Sequence, residues 1–407
     1  MVTGEEADPC YAFAVPAKSQ PRNAAGTLLS AFDEQDKVFS RAFSILQQAI
    51  TERAFPAACI AVTRNGQLTA LKSFGSFVYE TDPAGGNFDS LSGATVFDLA
   101  SLTKPVATTT MSAILYERGL LELDAPIIGT VPEFRALTDP RRNEVTFRML
   151  LSHSSGLPAY EKLFLKARSR DEILQVALTT PLTADPAARA EYSDIGFIIL
   201  GLALERLSGE SLDVFCQHEI FGPLGMSNTT FNPPERIRSK IPPTADERVE
   251  AVPAQDAPVR STFRNRLIQG EVQDENASVL GGVAGHAGLF STAHDLAIFA
   301  STMLNGGTPI LRPETIALFT RRQSAPAGTS RALGWDTPST PSQSGKYFGP
   351  NSYGHLGYTG TSLWIDPDRQ LSITLFTNRT WPDCSKQTIK QVRPIFHDAI
   401  IEALLQE

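Results

Sequence analysis

The 407-residue sequence has few of the residues that build metal sites, and its positive charges are not clustered. Its six histidines are scattered, and its four cysteines stand far apart without the spacing of metal ligands. We therefore predict no metal and no cofactor. Cys59 and Cys216 are interpreted as small buried hydrophobic residues. The 36 Lys and Arg residues form no basic block and the net charge is −8, which argues against a nucleic-acid partner.

The sequence also lacks a long apolar run. The longest candidate, residues 195–204, has about half of the ~20 residues that a membrane helix needs, so we predict no membrane span. The first residues have neither the positive start nor the apolar core of a signal peptide. As the sequence stands, this predicts a cytoplasmic protein, or a periplasmic or secreted one if a signal peptide was removed. The oligomeric state is left open.

Strand-like runs occur near both ends of the chain. The first two, 57–63 and 68–78, are joined by the hairpin signal Arg64-Asn65-Gly66-Gln67, and the last two are 362–365 and 371–377. Apolar residues at helical spacing predict a helix before the first pair and another after the last. Pro394 lies inside the second pattern and is expected to kink that helix or delay its start.

The length of the chain exceeds what one hydrophobic core usually supports, which predicts two packed lobes. The fold class is predicted to be α+β: an antiparallel sheet formed by the N- and C-terminal segments and backed by helices, with an inserted, mainly helical lobe. Residues 1–35 are predicted to be a loose leader. The α/β lobe is assigned to 36–125 and 280–407, and the inserted lobe to 126–279.

The motif Ser101-Leu102-Thr103-Lys104 is the only Ser-x-x-Lys in the chain. Pro105 is tolerated only in a first helical turn, so Ser101 is expected at or just before a helix start. A spacing of three then places the Lys104 amine beside the Ser101 hydroxyl, where a base could activate the serine as a nucleophile. A helix cap followed by a solvated lysine is the alternative interpretation.

A second motif is Tyr192-Ser193-Asp194, on a loop that enters an apolar helix. A Tyr–Lys pair can act as a base, because a nearby ammonium lowers the pKa of a phenol from about 10. If the Asp194 carboxylate faces the site, we expect it to hold Lys104 protonated. The alternative is a capping turn with Ser193 or Asp194 as the N-cap, and both interpretations can hold together.

Two segments, His286-Ala287-Gly288 and His355-Leu356-Gly357, fit a third motif. The residues after His355, 358–365, read as an extended strand whose edge could present backbone N–H groups to a substrate oxygen. His355 is therefore favoured. His286 is interpreted as a structural histidine in a glycine-rich loop.

Ser-x-x-Lys, Tyr-x-Asp and His-x-Gly, in that order, resemble the motifs of the penicillin-binding protein and serine β-lactamase superfamily. The resemblance is to the branch of class C β-lactamases, DD-peptidases and β-lactamase-like esterases, and it runs from about residue 50 to residue 380. It includes the stretches 150–158 (LLSHSSGLP) and 285–292 (GHAGLFST).

This resemblance implies that Ser101 is the nucleophile and that Lys104 and Tyr192 relay its proton. It implies an oxyanion hole made by the backbone N–H groups of Ser101 and Tyr358. It further implies a substrate-binding role for Asp194, His355 and Gly357. The implied fold is a helix-backed antiparallel sheet beside a helical lobe.

The predicted function is therefore a serine hydrolase acting through an acyl-enzyme, with a small ester, amide or lactam as substrate. A carboxylesterase of small acyl esters is favoured, because a histidine with a pKa of about 6.5 offers a substrate carboxylate less positive charge than the lysine of class C enzymes. A D-alanyl-D-alanine carboxypeptidase or a β-lactamase is the alternative, and an inactive relative used as a binding or scaffold protein is another. Neither a Gly-x-Ser-x-Gly elbow nor a His-Glu-x-x-His metal motif occurs.

Overall fold

The central element of the fold is a six-stranded sheet built from both ends of the chain. The structure, a computed structural model, describes residues 28–80, 82, 90–248 and 263–406. Within those ranges the strands are β1 Leu29–Ser30, β2 Ala57–Arg64, β3 Gln67–Gly75, β4 Phe97–Asp98, β5 Thr230–Phe231, β6 Ala245–Asp246, β7 Leu267–Ile268, β8 Leu289–Ser291, β9 Tyr353–Leu356, β10 Ser362–Asp366 and β11 Leu371–Thr377.

Helices fill most of the chain between β4 and β8. The α-helices of the described residues are α1 Gln35–Val38, α2 Ser40–Thr51, α3 Thr110–Glu117, α4 Phe147–Leu151, α5 Arg170–Thr179, α6 Asp194–Ser208, α7 Leu212–Cys216, α8 Gly222–Leu224, α9 Glu235–Arg238, α10 Glu275–Val279, α11 Ala293–Leu304, α12 Pro313–Thr320 and α13 Ile389–Leu404. Short 3₁₀ segments are Ala100–Leu102, Ile127–Gly129, Pro132–Phe134, Pro140–Glu144 and Leu163–Leu165, and π-helical turns are Lys104–Thr109 and Gln217–Phe221.

The order of strands in the sheet is β1-β3-β2-β11-β10-β9. All neighbours are antiparallel except β1, which runs parallel to β3. The pairing of β2 with β11 places Val62 opposite Ile373 and thereby joins the two ends of the chain in the middle of the sheet. The predicted α+β class and the sheet formed by both terminal segments are confirmed.

Alternate residues of β2 pack into two different cores, one on each face of the sheet. Successive strand side chains point to opposite faces, and β2 is apolar on both because both are covered by helices. One core contains residues of α2 and α13, such as Leu46 and Phe396. The other contains residues of α11 and of the helices between β4 and β8. The β2 residues in the first core are Ala58, Ile60 and Val62, and those in the second are Ala57, Cys59 and Ala61.

Helix α13 includes Pro394 in its interior. Proline has no N–H, so the carbonyl four residues earlier, that of Lys390, loses its helical partner. The Gln343 side chain replaces that partner, since its Nε2 donates to the Lys390 carbonyl at 3.0 Å. The proline is therefore accommodated within the helix, and the predicted delay of the helix start does not occur.

Several sequence predictions can be compared with these elements. The hairpin between β2 and β3 is present, with Asn65 and Gly66 both at positive φ (51° and 76°), as a tight two-residue turn requires. Strand β3 ends at Gly75, three residues before the predicted end at residue 78. Most of the predicted leader, residues 1–27, lies outside the described residues, but β1 near its end pairs with β3. Cys59 and Cys216 are buried, as predicted.

The division into lobes at 125/126 and 279/280 stays a prediction.

In the part of the chain that the structure describes, no helix is both long enough and apolar enough to span a bilayer.

Candidate active site

Ser101 lies three residues after the end of β4, in a 3₁₀ turn that leads into the helix beginning at Lys104. The preceding residue, Ala100, has a φ of +47°, a conformation that costs energy in a residue with a Cβ and is often found beside reactive groups. The Asp98 side chain stabilises this turn, because its Oδ1 accepts from the Ala100 N–H at 2.8 Å. The position of Ser101 before a helix agrees with the sequence prediction.

Lys104 is completely buried, and its ammonium has three hydrogen-bond acceptors. Its Nζ donates to Ser101 Oγ at 3.0 Å, to Asp194 Oδ1 at 2.6 Å and to the His286 carbonyl at 3.1 Å. Burial alone lowers the pKa of a lysine, but the charge of Asp194 and the contact with Tyr192 outweigh it, so the pKa of Lys104 is raised. The lysine is therefore held as an ammonium, as expected for an Asp194 that faces the site.

Tyr192 completes the hydrogen bonding of Ser101, since its hydroxyl donates to Ser101 Oγ at 2.8 Å. The sequence interpretation expected the lysine to lower the pKa of this phenol. Instead, burial and the nearby Asp194 carboxylate raise it to about 12 and outweigh the lowering by Lys104. The lowering by Lys104 that the sequence predicted is therefore present, but the net shift of the Tyr192 pKa is upward.

The two interpretations of the Tyr192 motif hold together, but on different residues. Ser193 is the N-cap of α6, and its hydroxyl accepts from the Gly196 N–H at 3.0 Å. Asp194 is the first residue of the helix, and its carboxylate pairs with Lys104. The cap interpretation is thus correct for Ser193 and not for Asp194.

A turn over residues 357–361 connects β9 to β10 and lies against the Ser101 segment. The sequence predicted a strand across 358–361, but β10 begins only at Ser362. Two threonine hydroxyls fix the turn: Thr359 donates to the Asp98 carbonyl at 2.8 Å and Thr361 to the Leu99 carbonyl at 2.9 Å. At Gly357 a Cβ would lie 2.5 Å from the Leu99 carbonyl oxygen, so this close approach requires glycine.

The close contact between the turn and the Ser101 segment brings two candidate oxyanion donors to one cavity. Ser101 and Tyr358 both line the cavity. Among the described residues, neither of their backbone N–H groups has a hydrogen-bond partner. Paired free N–H groups beside a nucleophile can stabilise the oxyanion of a tetrahedral intermediate. Their role in this chain stays a prediction.

His355 lies on β9, with its ring centroid 6.0 Å from that of Tyr192. Burial, with Lys104 and Arg331 nearby, lowers the pKa of His355 well below its usual value, so the ring is neutral. Its Nδ1 bonds to the Leu356 carbonyl at 2.8 Å and therefore carries the proton, which leaves Nε2 as an acceptor. This Nε2 is buried without a partner among the described residues. His355 consequently supplies no positive charge to a substrate.

His286 agrees with the structural role predicted for it. Its Nε2 contacts Asp274 Oδ1 at 2.8 Å, and Asp274 in turn caps α10 by accepting from the Ala277 N–H. Its backbone carbonyl accepts a hydrogen bond from Lys104 Nζ. The sequence offered no signal for that contact.

The predicted side chains converge on a cavity of about 830 Å³ that also includes residues missed by sequence reasoning. Arg331, Arg379 and Arg393 line it together with Ser101, Tyr192, Asp194, His355, Gly357 and Tyr358. His153, within the stretch 150–158, packs against Tyr192 with the two rings tilted and 4.7 Å between their centroids. Its Nδ1 accepts from the Ser193 N–H at 3.0 Å, so it supports the loop that carries Tyr192. In the sequence, the only signal for a role of His153 at the site is its position within the family-like stretch 150–158.

Comparison with known proteins identifies a family and several relatives of this chain. A family model described as Beta-lactamase matches residues 42–392. The N-acetylmuramyl-L-alanine amidase of Bacillus subtilis (strain 168) is 33% identical over 347 residues, which cover 80% of this chain and 77% of the relative. A putative D-alanyl-D-alanine carboxypeptidase of Salmonella typhimurium (strain LT2) is 32% identical over 307 residues, which cover 70% of this chain and 69% of the relative.

Solved structures share the fold at lower identity. EstCE1, a hydrolase with promiscuous acyltransferase activity, superposes with a TM-score of 0.72 at 22% identity and covers 90% of this chain and 99% of its own. The octameric penicillin-binding protein homologue from Pyrococcus abyssi superposes with a TM-score of 0.65 at 21% identity. The match covers 90% of this chain and 77% of the homologue. At these identities the likeness concerns the fold alone. The family model and the closer relatives go further: this chain belongs to the β-lactamase family and is a serine hydrolase.

Proposed function

We propose that this chain hydrolyses an amide bond in a small peptide or amino-sugar conjugate through a covalent acyl-enzyme on Ser101. The observation that carries the proposal is the position of Ser101 Oγ, which accepts hydrogen bonds from both Lys104 Nζ and Tyr192 OH on the wall of the cavity. A hydroxyl held by two groups that exchange protons can be deprotonated as it attacks a carbonyl.

The proton movements follow from the three groups around Ser101. With Lys104 as an ammonium and Tyr192 as a phenol there is no base, so the reactive form has one proton fewer on this pair. In that form, the Lys104–Tyr192 pair accepts the proton of the Ser101 hydroxyl as Oγ attacks the substrate carbonyl. The N–H groups of Ser101 and Tyr358 stabilise the oxyanion. The pair then returns the proton to the leaving amine. A water molecule, activated in the same way, hydrolyses the acyl-enzyme.

The choice of an amide rests on the two closer relatives. The names of both the amidase and the putative carboxypeptidase denote cleavage of an amide bond, and each match covers at least 70% of this chain. A small acyl ester, the substrate favoured by sequence, is kept as the second candidate. The observation that favours it is the neutral His355, which gives no attraction for a charged substrate.

The experiment combines chemical labelling with a substrate panel. We expect a fluorophosphonate to modify Ser101, and Ser101→Ala to lower turnover by about 10³-fold or more. The panel consists of N-acetylmuramyl-L-alanine, N-acetyl-D-alanyl-D-alanine, p-nitrophenyl acetate and a chromogenic cephalosporin. We expect measurable turnover of one of the two amides, and we expect Ser101→Ala to lose it.

Ser352→Ala is a matched control, because Ser352 is also buried and its hydroxyl has no partner among the described residues. It should retain full activity. Near-native turnover by Ser101→Ala would contradict the acyl-enzyme. Turnover of the ester alone would replace the amide with the second candidate.

A further inference from the structure

Two buried arginines bond to the carbonyl groups of the turn that carries Tyr358. Arg393 donates through a single nitrogen, Nη2, to the carbonyls of Gly357 and Thr361, each at 3.1 Å. Arg379 donates through Nε to the Tyr358 carbonyl at 2.6 Å. Burial and the charge of Arg379 lower the pKa of Arg393 to about 9, so Arg393 is still a cation at neutral pH.

One of these carbonyls belongs to the same peptide group as a predicted oxyanion donor. The peptide bond between residues 357 and 358 joins the Gly357 carbonyl to the Tyr358 N–H, and it is trans. In a trans peptide the C=O and the N–H point in opposite directions. The hydrogen bond from Arg393 therefore fixes the direction of the N–H, which points away from the arginine. That N–H has no hydrogen-bond partner among the described residues, and Tyr358 lines the cavity.

The turn closes on the same carbonyl. The Gly360 N–H donates to the Gly357 carbonyl at 3.0 Å, and the Gly357 N–H donates to the Thr361 carbonyl at 2.8 Å. The Gly357 carbonyl therefore accepts two hydrogen bonds, one of them from a cation. A hydrogen bond at the oxygen of an amide polarises the group and strengthens its N–H as a donor, and a charged donor has the larger effect. The Tyr358 N–H is thus both oriented and polarised before a substrate binds.

We propose that Arg393 is a positioning residue for the oxyanion hole. Its action is indirect, because it orients and polarises the peptide between Gly357 and Tyr358, and the N–H of that peptide contacts the oxyanion. The proposal rests on the acyl-enzyme of the proposed function, since that reaction creates the oxyanion. Loss of Arg393 should slow acylation more than it weakens substrate binding, because a donor matters most when the oxygen that it contacts becomes negative.

The first measurement is the rate of phosphonylation of Ser101 by an uncharged fluorophosphonate. The P=O oxygen of this probe occupies the oxyanion site. The probe has no carboxylate, so an effect of Arg393 cannot come from pairing with a substrate anion. We expect Arg393→Met to lower the rate constant about tenfold, less than the loss of a whole oxyanion donor, with little change in the affinity for the probe. Arg393→Lys keeps a cation with N–H donors and should recover part of the rate.

Arg142→Met is the matched control. Arg142 is also a buried arginine whose side chain bonds to backbone carbonyls, those of Phe134, Leu178 and Thr180, but it does not line the cavity. Its replacement removes comparable contacts from the fold and should leave the rate of phosphonylation unchanged. Equal slowing in Arg142→Met and Arg393→Met would indicate a general loss of stability and would overturn the positioning role.

The second measurement observes the peptide itself and needs no catalysis. Gly357-Tyr358 is the only Gly-Tyr pair in the sequence, so labelling glycine with ¹³C at the carbonyl and tyrosine with ¹⁵N isolates one signal in an HNCO spectrum. We expect Arg393→Met to move this signal upfield in both heteronuclear dimensions, because the carbonyl loses a charged donor, and Arg142→Met to leave it in place.

The two measurements separate this inference from the proposed function. If Ser101 is labelled, an unmoved signal or an unchanged rate constant in Arg393→Met would overturn the positioning role and leave the acyl-enzyme intact. If no fluorophosphonate labels Ser101 in the unmodified protein, the proposed acyl-enzyme fails, and Arg393 has no oxyanion to act on.

Discussion

At the scale of single residues, Asp194 controls the protons on both groups that contact Ser101. Its charge raises the pKa of Lys104, and together with burial it raises that of Tyr192 to about 12. If the reactive form lacks one proton on this pair, Asp194 opposes its formation near neutral pH. The same carboxylate pairs with Lys104 and so holds the lysine in place.

We predict that Asp194→Asn moves the rising limb of kcat/KM against pH to lower pH. The amide keeps an acceptor for Lys104 but removes the negative charge, so both pKa values fall and the reactive form appears earlier. The measurement is a pH–rate profile for the variant and the unmodified protein. Glu191→Gln is the control, because Glu191 lies on the same loop and pairs with Arg189 at 2.7 Å. Superimposable profiles for Asp194→Asn and the unmodified protein would remove Asp194 from the proton transfer.

At the scale of structural elements, the turn over 357–361 is fixed to the Ser101 segment by side chains and not by strand pairing. We predict that Thr359→Val lowers kcat about tenfold with little change in KM, because it removes the bond to the Asp98 carbonyl and loosens the Tyr358 N–H. The unfolding free energy should fall by about 1 kcal/mol. Steady-state kinetics and chemical denaturation measure the two effects.

Thr374→Val provides the matched control. Thr374 is a completely buried threonine in β11, and its hydroxyl has no partner among the described residues. Its replacement should leave kcat unchanged and stability equal or higher. Similar losses of kcat in both variants would mean that general loosening of the sheet, and not the position of the turn, explains the effect.

The same turn shows where sequence patterns reach their limit. The strands β2, β10 and β11 could be predicted because their apolar residues and flanking turn residues are local signals. The end of β9 and the turn after it depend on threonine hydroxyls that bond to Asp98 and Leu99, more than 250 residues away in sequence. No local pattern encodes such a partner. Residues 358–361 therefore resemble a strand in sequence and form a turn in the folded chain.

Sequence analysis predicted the site residues whose spacing forms a motif. It missed those whose role depends on their neighbours in the folded chain. Ser101, Lys104 and Tyr192 were predicted from motifs, and Lys104 Nζ and Tyr192 OH both lie within 3.0 Å of Ser101 Oγ. Arg379 and Arg393 have no motif, and their hydrogen bonds to the carbonyls of the 357–361 turn depend on the folded chain. The raised pKa of Tyr192 likewise required the position of Asp194, which sequence left open.

At the scale of the whole molecule, Asp98 connects three separate parts of the chain. Its Oδ1 accepts from the Ala100 N–H, its Oδ2 from the Gln273 N–H at 2.7 Å, and its carbonyl from Thr359. Burial raises the pKa of Asp98 to about 6, although both N–H groups oppose this rise. The Asp98 carboxylate therefore joins two segments of the chain through hydrogen bonds, and its burial makes the charged form less favourable.

We predict that Asp98 makes stability decrease as pH rises from about 4 to above 6. The folded state binds a proton there that the unfolded chain, with a pKa of about 3.9, has released. The Asp98→Asn variant has no titratable group at this position. Its amide oxygen can accept from only one of the two N–H groups that the two carboxylate oxygens contact, whatever the pH. The unfolding free energy of the unmodified protein minus that of the variant should thus be smaller at pH 8 than at pH 4.5, by about 1 to 3 kcal/mol. Chemical denaturation at both values measures it, and a difference independent of pH would contradict the prediction.

The pairing of β2 with β11 also has a consequence for synthesis on the ribosome. The hydroxyls of Thr63 and Ser372 contact each other across this pair at 2.6 Å, although 309 residues separate them. The ribosome synthesises the chain from the N-terminus, so the β2–β3 hairpin is complete long before β11 is translated. During that interval one apolar edge of β2 has no neighbouring strand, and such an edge is prone to pair with another chain. The hairpin is therefore exposed to such pairing until the last strand arrives.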